Sequence, residues 1–298
     1  VSDDPPLIIL PPLAGAADES WAGILDLADE VPDGWCLIGG FMVLLHCLER
    51  GAVPTRPTDD GDAVVDVRAR PTMLRDLTGA LVRLGFAADG ITADGHQHRW
   101  IRGTASIDVL LPDGIGERAG RATGVGGATT LQAPGTTQAL DRANLVRVRH
   151  GDRVGRIRRP DLLGALVAKA AAVSIPDGIR GQRHISDFCT LAPLVGARDL
   201  RALTVKDRRR LRIMLAKTEA HPELVAAVDG AVEGLRRIAL AIEYRAANAG
   251  TSFRGQGVIR RPPRQGRPRS DRSAQQTRRT VVPRCSAARS PPCAGIRR

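Results

Sequence analysis

The sequence predicts a mixed α/β (α+β) fold in residues 1–159, a helical domain over 160–250, and a disordered basic tail over 251–298. Three observations carry this. Short apolar runs alternate with helical periodicity as far as Pro160. Beyond Pro160 only helical patterning continues. After residue 250 apolar clusters give way to Arg, Pro, Ser, Gly and Gln, a composition that cannot build a core.

The elements follow in order. Pro11-Pro12 ends a short apolar start, and Ala16 to Glu30 carries Trp21, Ile24, Leu25 and Leu27 in a helical pattern. Pro32-Asp33-Gly34 is a turn into a buried strand, Trp35–Ile38. A helix over 41–50 and a Pro/Thr/Gly-rich loop over 51–59 lead to a strand, Asp60–Val67. Pro71 opens a helix with Leu74, Leu77, Leu81 and Leu84 on one stripe, closed by Gly85. Strands are expected at 98–102 and 106–111, then an irregular Gly/Thr-rich stretch over 113–139. Alternation in Leu145–Arg149 and Val154–Ile157 around Gly151-Asp152 predicts a hairpin. Helices are expected over 160–174, 180–196, 205–219 and 222–247.

The net charge of +12 comes from the tail, because residues 251–298 hold thirteen arginines and one acid, Asp271. Residues 1–250 balance at 31 basic and 31 acidic side chains, which leaves no overall preference for a polyanion. The tail reads either as a polybasic arm for nucleic acid or as an extension without a role. No stretch approaches the about 20 apolar residues of a membrane span, and Val-Ser-Asp-Asp-Pro-Pro lacks a secretory pattern. The five cysteines show no zinc-ligand spacing, and the apolar surroundings of Cys36, Cys47 and Cys189 point to reduced thiols in a cytoplasmic protein.

The chemistry concentrates in two stretches. Residues i and i+2 of a strand share a face, so Asp60 and Asp62 present two carboxylates together, and Asp108 stands on a second strand. Hard carboxylate oxygens suit Mg²⁺ or Mn²⁺, the ions that phosphoryl-transfer chemistry uses on a nucleoside triphosphate. Gly39-Gly40 follows a strand and opens a helix, where bare backbone and helix N-terminus favour phosphate. Lys169, one of only three lysines, sits beside an apolar helix face and reads either as a phosphate contact or as a snorkelling lysine. Asp187, three residues after His184, reads as a solvated contact or a helix-surface ion pair. Arg99 opens a strand near the nucleotide side. Gly124-Val125-Gly126-Gly127 reads as a flexible loop, and His96-Gln97-His98 has no partners for a metal site.

In this order the motifs resemble the DNA polymerase β-like nucleotidyltransferase superfamily, and within it the AbiEii-type, toxin-like branch. The residues that match are Ile38-Gly39-Gly40, Arg56-x-Thr58-x-Asp60-x-Asp62, Ile107-Asp108-Val109-Leu110, Lys169 and Asp187. The resemblance implies a nucleotidyltransferase-fold mixed sheet flanked by helices. It implies that Asp60, Asp62 and Asp108 hold Mg²⁺, and that Gly39, Gly40, Arg56, Thr58 and Lys169 bind the NTP. It gives Asp187 the task of positioning or deprotonating an acceptor, with tRNA or a protein as that acceptor and an antitoxin as a partner. One departure stands out. Gly61 replaces the apolar residue expected between the aspartates, so the strand is expected to be loosened there and to pack nothing. That substitution motivates an alternative, a nucleotide-binding module without transfer; the tail motivates another, an RNA-binding protein.

Overall fold

Apolar periodicity in the first half builds a helix-flanked mixed sheet, as the computed structural model describes for residues 4–174 and 178–251. The tail reading, with Cys285 and Cys293, lies outside the described residues. Strands β1 (Leu7–Ile9), β2 (Trp35–Ile38), β3 (Asp60–Val65), β4 (Ala87–Ala88), β5 (Arg99–Arg102), β6 (Ala105–Pro112), β7 (Gln132–Ala133), β8 (Ala143–His150) and β9 (Arg153–Pro160) form two sheets. One runs β2-β3-β6-β5-β4, with β7 added beside β6, and the other runs β1-β8-β9. In the first, β3 and β6 are parallel while β2 and β5 run antiparallel to them.

Helices α1 (Gly15–Glu30), α2 (Gly39–Glu49) and α3 (Met73–Arg83) pack on one side of this frame. Trp21 and Phe41 stack there with ring centroids 4.3 Å apart, above Ala63, Val65, Ile107 and Val109. A second core joins α6 (Leu162–Ala172), α7 (Gly178–Leu191), α8 (Val205–Glu219) and α10 (Ala231–Thr251). The first helix to follow the glycine pair, α2, serves both: Phe41 and Leu45 enter the sheet core, Met42, Val43 and Cys47 the helical core. Residues 4–251 accordingly form one compact unit. Among the described residues no helix is long and apolar enough to cross a membrane.

Four local expectations change. The helix after the glycine pair starts at Gly39 rather than residue 41, with Gly39 at φ +69°. The stretch over 113–139 holds α4 (Glu117–Gly120), β7 and the start of α5 (Thr136–Asp141), with the Thr136 hydroxyl donating to the Ala133 carbonyl at 2.5 Å. The single helix expected over 222–247 is two, α9 (Pro222–Ala226) and α10, because Gly230 at φ +76° interrupts the helical backbone. The short apolar start is a strand, since β1 pairs in parallel with β8, a partner about 140 positions away.

Candidate active site

Register assembles the site. Across four neighbouring strands Ile38 pairs with Asp62, Asp62 with Asp108, and Asp108 with Arg99. Alternation then sets Asp60, Asp62 and Asp108 on the sheet face that looks away from the Trp21–Phe41 core. A cleft of about 620 Å³ opens over this face. Gly39, Gly40, Arg56, Thr58, Asp60, Asp62, Asp108 and Lys169 all line it. His98, Arg99, Asp89, Arg183 and His184 are also among its lining residues. Asp187 borders the neighbouring apolar pocket and reaches the cleft through Arg56 and Lys169.

Both glycines are required by contact. A Cβ on Gly39 would stand 1.7 Å from Asp62 Oδ2, and one on Gly40 would stand 2.4 Å from Thr58 Oγ1. The start of α2 therefore lies directly against Asp62 and Thr58, and Thr58 donates to Asp60 at 3.1 Å. Gly61 has a different reason, which corrects the expectation of an unpacked strand. Its Cβ would fall 2.9 Å from Ile24 and 3.6 Å from Phe41, so core side chains from α1 and α2 already fill the space beneath the aspartates. The strand is braced from below and paired on both edges.

Arg99 reaches across the carboxylates. It forms a two-pronged pair with Asp108 at 2.8 and 2.9 Å and touches Asp60 at 3.3 Å. Burial, then the charges of Asp60 and Asp108, push the Asp62 carboxyl up to about 7, against the opposing pull of Lys169 and Arg99. Among the described residues, no three His, Cys, Asp or Glu side chains stand as a ready metal cluster. A guanidinium holds the position between two of the carboxylates. The donor chemistry nonetheless fits a divalent ion: hard oxygens on adjacent strands, crowded enough that one resists ionisation.

Across the cleft Asp187 is almost fully buried and binds two cations. Lys169 Nζ donates to it at 2.6 Å, and Arg56 donates through Nε and Nη2 at 2.9 and 3.0 Å. Lys169 is thus neither snorkelling nor free, and Asp187 is neither solvated nor confined to a helix-surface pair. Although burial opposes ionisation, Lys169 and Arg56 hold the Asp187 carboxyl below its usual range. Held there, it is a weak proton acceptor and a strong anchor. Arg56 supplies the same link from the loop before β3, so α6, α7 and that loop converge on one carboxylate. The bridging reach of Arg99 is the feature that sequence position alone does not reveal, because it depends on the β5–β6 register.

Among solved structures, the fold is similar to a chain described as an antigenic nucleotidyltransferase-like protein from Paracoccidioides brasiliensis. The two are 16% identical with a TM-score of 0.44, and the overlap covers 73% of this chain and 96% of that one. An overlap this loose carries no functional assignment. No family model and no curated protein matches the sequence.

Proposed function

We propose that this protein is a metal-dependent nucleotidyltransferase that moves a nucleotide from an NTP to an acceptor. The observation that carries the reading is the in-register Asp62–Asp108 pair, with Asp60 on the same face and Gly39-Gly40 directly against it. Asp60, Asp62 and Asp108 would hold Mg²⁺ or Mn²⁺. Such ions neutralise the triphosphate and stabilise the leaving pyrophosphate.

The chain's own groups divide the remaining work. Backbone at Gly39 and Gly40, with the N-terminus of α2, receives phosphate oxygens. Lys169 and Arg56, oriented by Asp187, face the same oxygens from the other wall. The acceptor oxygen bonds to the α-phosphorus, the bond to pyrophosphate breaks, and the acceptor's proton passes to a carboxylate of the aspartate group. Asp187 is a positioning residue in this scheme rather than the base. The finer reading, an AbiEii-type, toxin-like enzyme with tRNA or a protein as acceptor and an antitoxin as partner, rests on the sequence match at Lys169 and Asp187 alone.

Purified protein with labelled NTPs, Mg²⁺ and total tRNA or lysate is expected to label an acceptor, and Asp62→Asn to abolish it. Labelling that survives this substitution refutes the mechanism. The alternative, a nucleotide-binding module without transfer, predicts nucleotide-stabilised melting without turnover, and robust wild-type transfer would dispose of it.

A further inference from the structure

Helix α2 is apolar on nearly every side, and the two cores use only part of it. Phe41 and Leu45 enter the sheet core, and Met42, Val43 and Cys47 the helical core. Gly40, Leu44 and Leu48 recur every four residues along the remaining side, and both leucines are only half-buried. A helix that is apolar all round calls for cover all round. Leu13 and Ala17, from the start of α1, and Pro54, from the loop before β3, stand around these leucines without closing on them. They leave a pocket of about 370 Å³, within the size range of small-molecule sites. Its polar lining comes from the same loop and from α7, and Gly40, Arg56 and Thr58 line the aspartate cleft as well.

Existing hydrogen bonds determine what these polar groups still lack. Thr190 donates to the Ser186 carbonyl at 3.0 Å, so Thr55 donates to Thr190 at 2.7 Å and keeps a lone pair. Thr58 directs its proton to Asp60 at 3.1 Å. Arg56 and Asp187 are matched to each other by two hydrogen bonds, and Asp59 adds an exposed carboxylate. The pocket therefore presents acceptors, Thr55, Thr58 and Asp59, beside an apolar body. An anionic head would meet Asp59, while an ammonium would meet Arg56 and lose its water to the leucines. We infer that this pocket binds a small, uncharged, largely apolar molecule carrying one hydrogen-bond donor, of which a simple alcohol is the type.

Occupancy has a structural consequence. Among the described residues, 53–58 make no backbone–backbone hydrogen bond. Side chains alone hold this loop: Thr55 to Thr190, Arg56 to Asp187, and Thr58 to Asp60. A ligand packed against Pro54, Thr55 and Thr58 adds a support to the segment that presents Arg56 to the cleft. The inference concerns binding and does not depend on transfer chemistry.

The test uses the full chain and three matched probes: 2-phenylethanol, phenylacetate and 2-phenylethylammonium. Titration calorimetry at neutral pH should give the alcohol the tightest binding of the three, with one site per chain. Hydrogen–deuterium exchange with the alcohol present should slow in peptides spanning residues 11–17, 40–48 and 53–59, which carry the lining. Ala17→Trp places an indole in the pocket from a half-buried position on α1 and should abolish both signals while the melting temperature holds. Thr55→Val removes an acceptor at nearly constant shape and should weaken the alcohol about 3- to 10-fold. Tighter binding of either ion overturns the proposal. So does protection confined to other parts of the chain, or alcohol binding that survives Ala17→Trp unchanged. Absence of alcohol binding ends the proposal and leaves the transfer reading in place, whereas failure of nucleotide transfer leaves the pocket's binding as measured.

Discussion

Asp62 offers the sharpest test of the site, because its protonation reports the crowding directly. Its carboxyl is pushed up to about 7 from an ordinary 3.8, first by burial and then by Asp60 and Asp108. A carboxyl raised on folding contributes stability that is present below 3.8 and lost as pH rises through about 7. The full shift corresponds to ~4 kcal/mol at 1.36 kcal/mol per unit. Asp62 is partly exposed to the cleft, and relaxation with water entry reduces the effect to about 1–2 kcal/mol. For a chain of this size that is roughly 3–6 °C in melting temperature. The assay is thermal unfolding in EDTA from pH 4.5 to 8.5, wild type against Asp62→Asn. The variant's advantage should grow between pH 4.5 and 7 and then level off. His46 acts in the opposite sense. Burial and Arg159 hold its imidazole well below 6.5, so its stabilisation is lost as pH falls below that value. His46 is common to both proteins and cancels in the difference. Added Mg²⁺ should stabilise the wild type more at pH 8 than at pH 5.5, since a proton and the ion compete for Asp62. A difference curve that is flat with pH, or slopes the other way, refutes the crowding and with it the metal cradle.

Two further substitutions probe what surrounds the aspartates. Gly61→Ala should destabilise the fold by about 1–3 kcal/mol through overpacking against Ile24, and Ile24→Val should recover part of that in the double variant; strictly additive losses in chemical denaturation would contradict the contact. Arg99→Met should lower the melting temperature without metal yet tighten Mn²⁺ binding about tenfold, or ~1.4 kcal/mol, because it removes the cation that competes for Asp60 and Asp108. Titration calorimetry showing weaker Mn²⁺ binding in Arg99→Met would mean that Arg99 supports the ion site instead of occupying it.

Local pattern made much of this legible. The i, i+2 spacing of Asp60 and Asp62, the glycines at a strand–helix junction, and Ile107-Asp108 within an apolar strand are all short-range signals. Asp60, Asp62, Asp108 and both glycines line one cleft, while Ile107 enters the core on the opposite face. Long-range partners were not legible. Gly61 looks like a defect until Ile24, on a helix 37 residues earlier, is found beneath it. Asp187 looks like half of a pair with His184 until α6 and the loop before β3 bring Lys169 and Arg56 to it. The break between α9 and α10 was different, since Asp229-Gly230 carries a local signal that helical periodicity on both sides obscures.

The charged groups of the cleft are unequally shared, and that inequality supports the transfer reading. On the sheet side three carboxylates, Asp60, Asp62 and Asp108, have one close cation, Arg99. On the helical side one carboxylate, Asp187, has two, Lys169 and Arg56. The sheet wall therefore carries an excess of negative charge and the helical wall an excess of positive charge. A ligand that is anionic throughout would meet the aspartates unfavourably, and a bare cation would meet Lys169 and Arg56 unfavourably. A metal–triphosphate complex carries both signs in one molecule, with its cation able to face the aspartates and its phosphate oxygens the opposite wall. Gly39 and Gly40 sit where those two halves meet, against Asp62 and Thr58, and bare backbone there lets phosphate approach the carboxylates closely enough to share an ion.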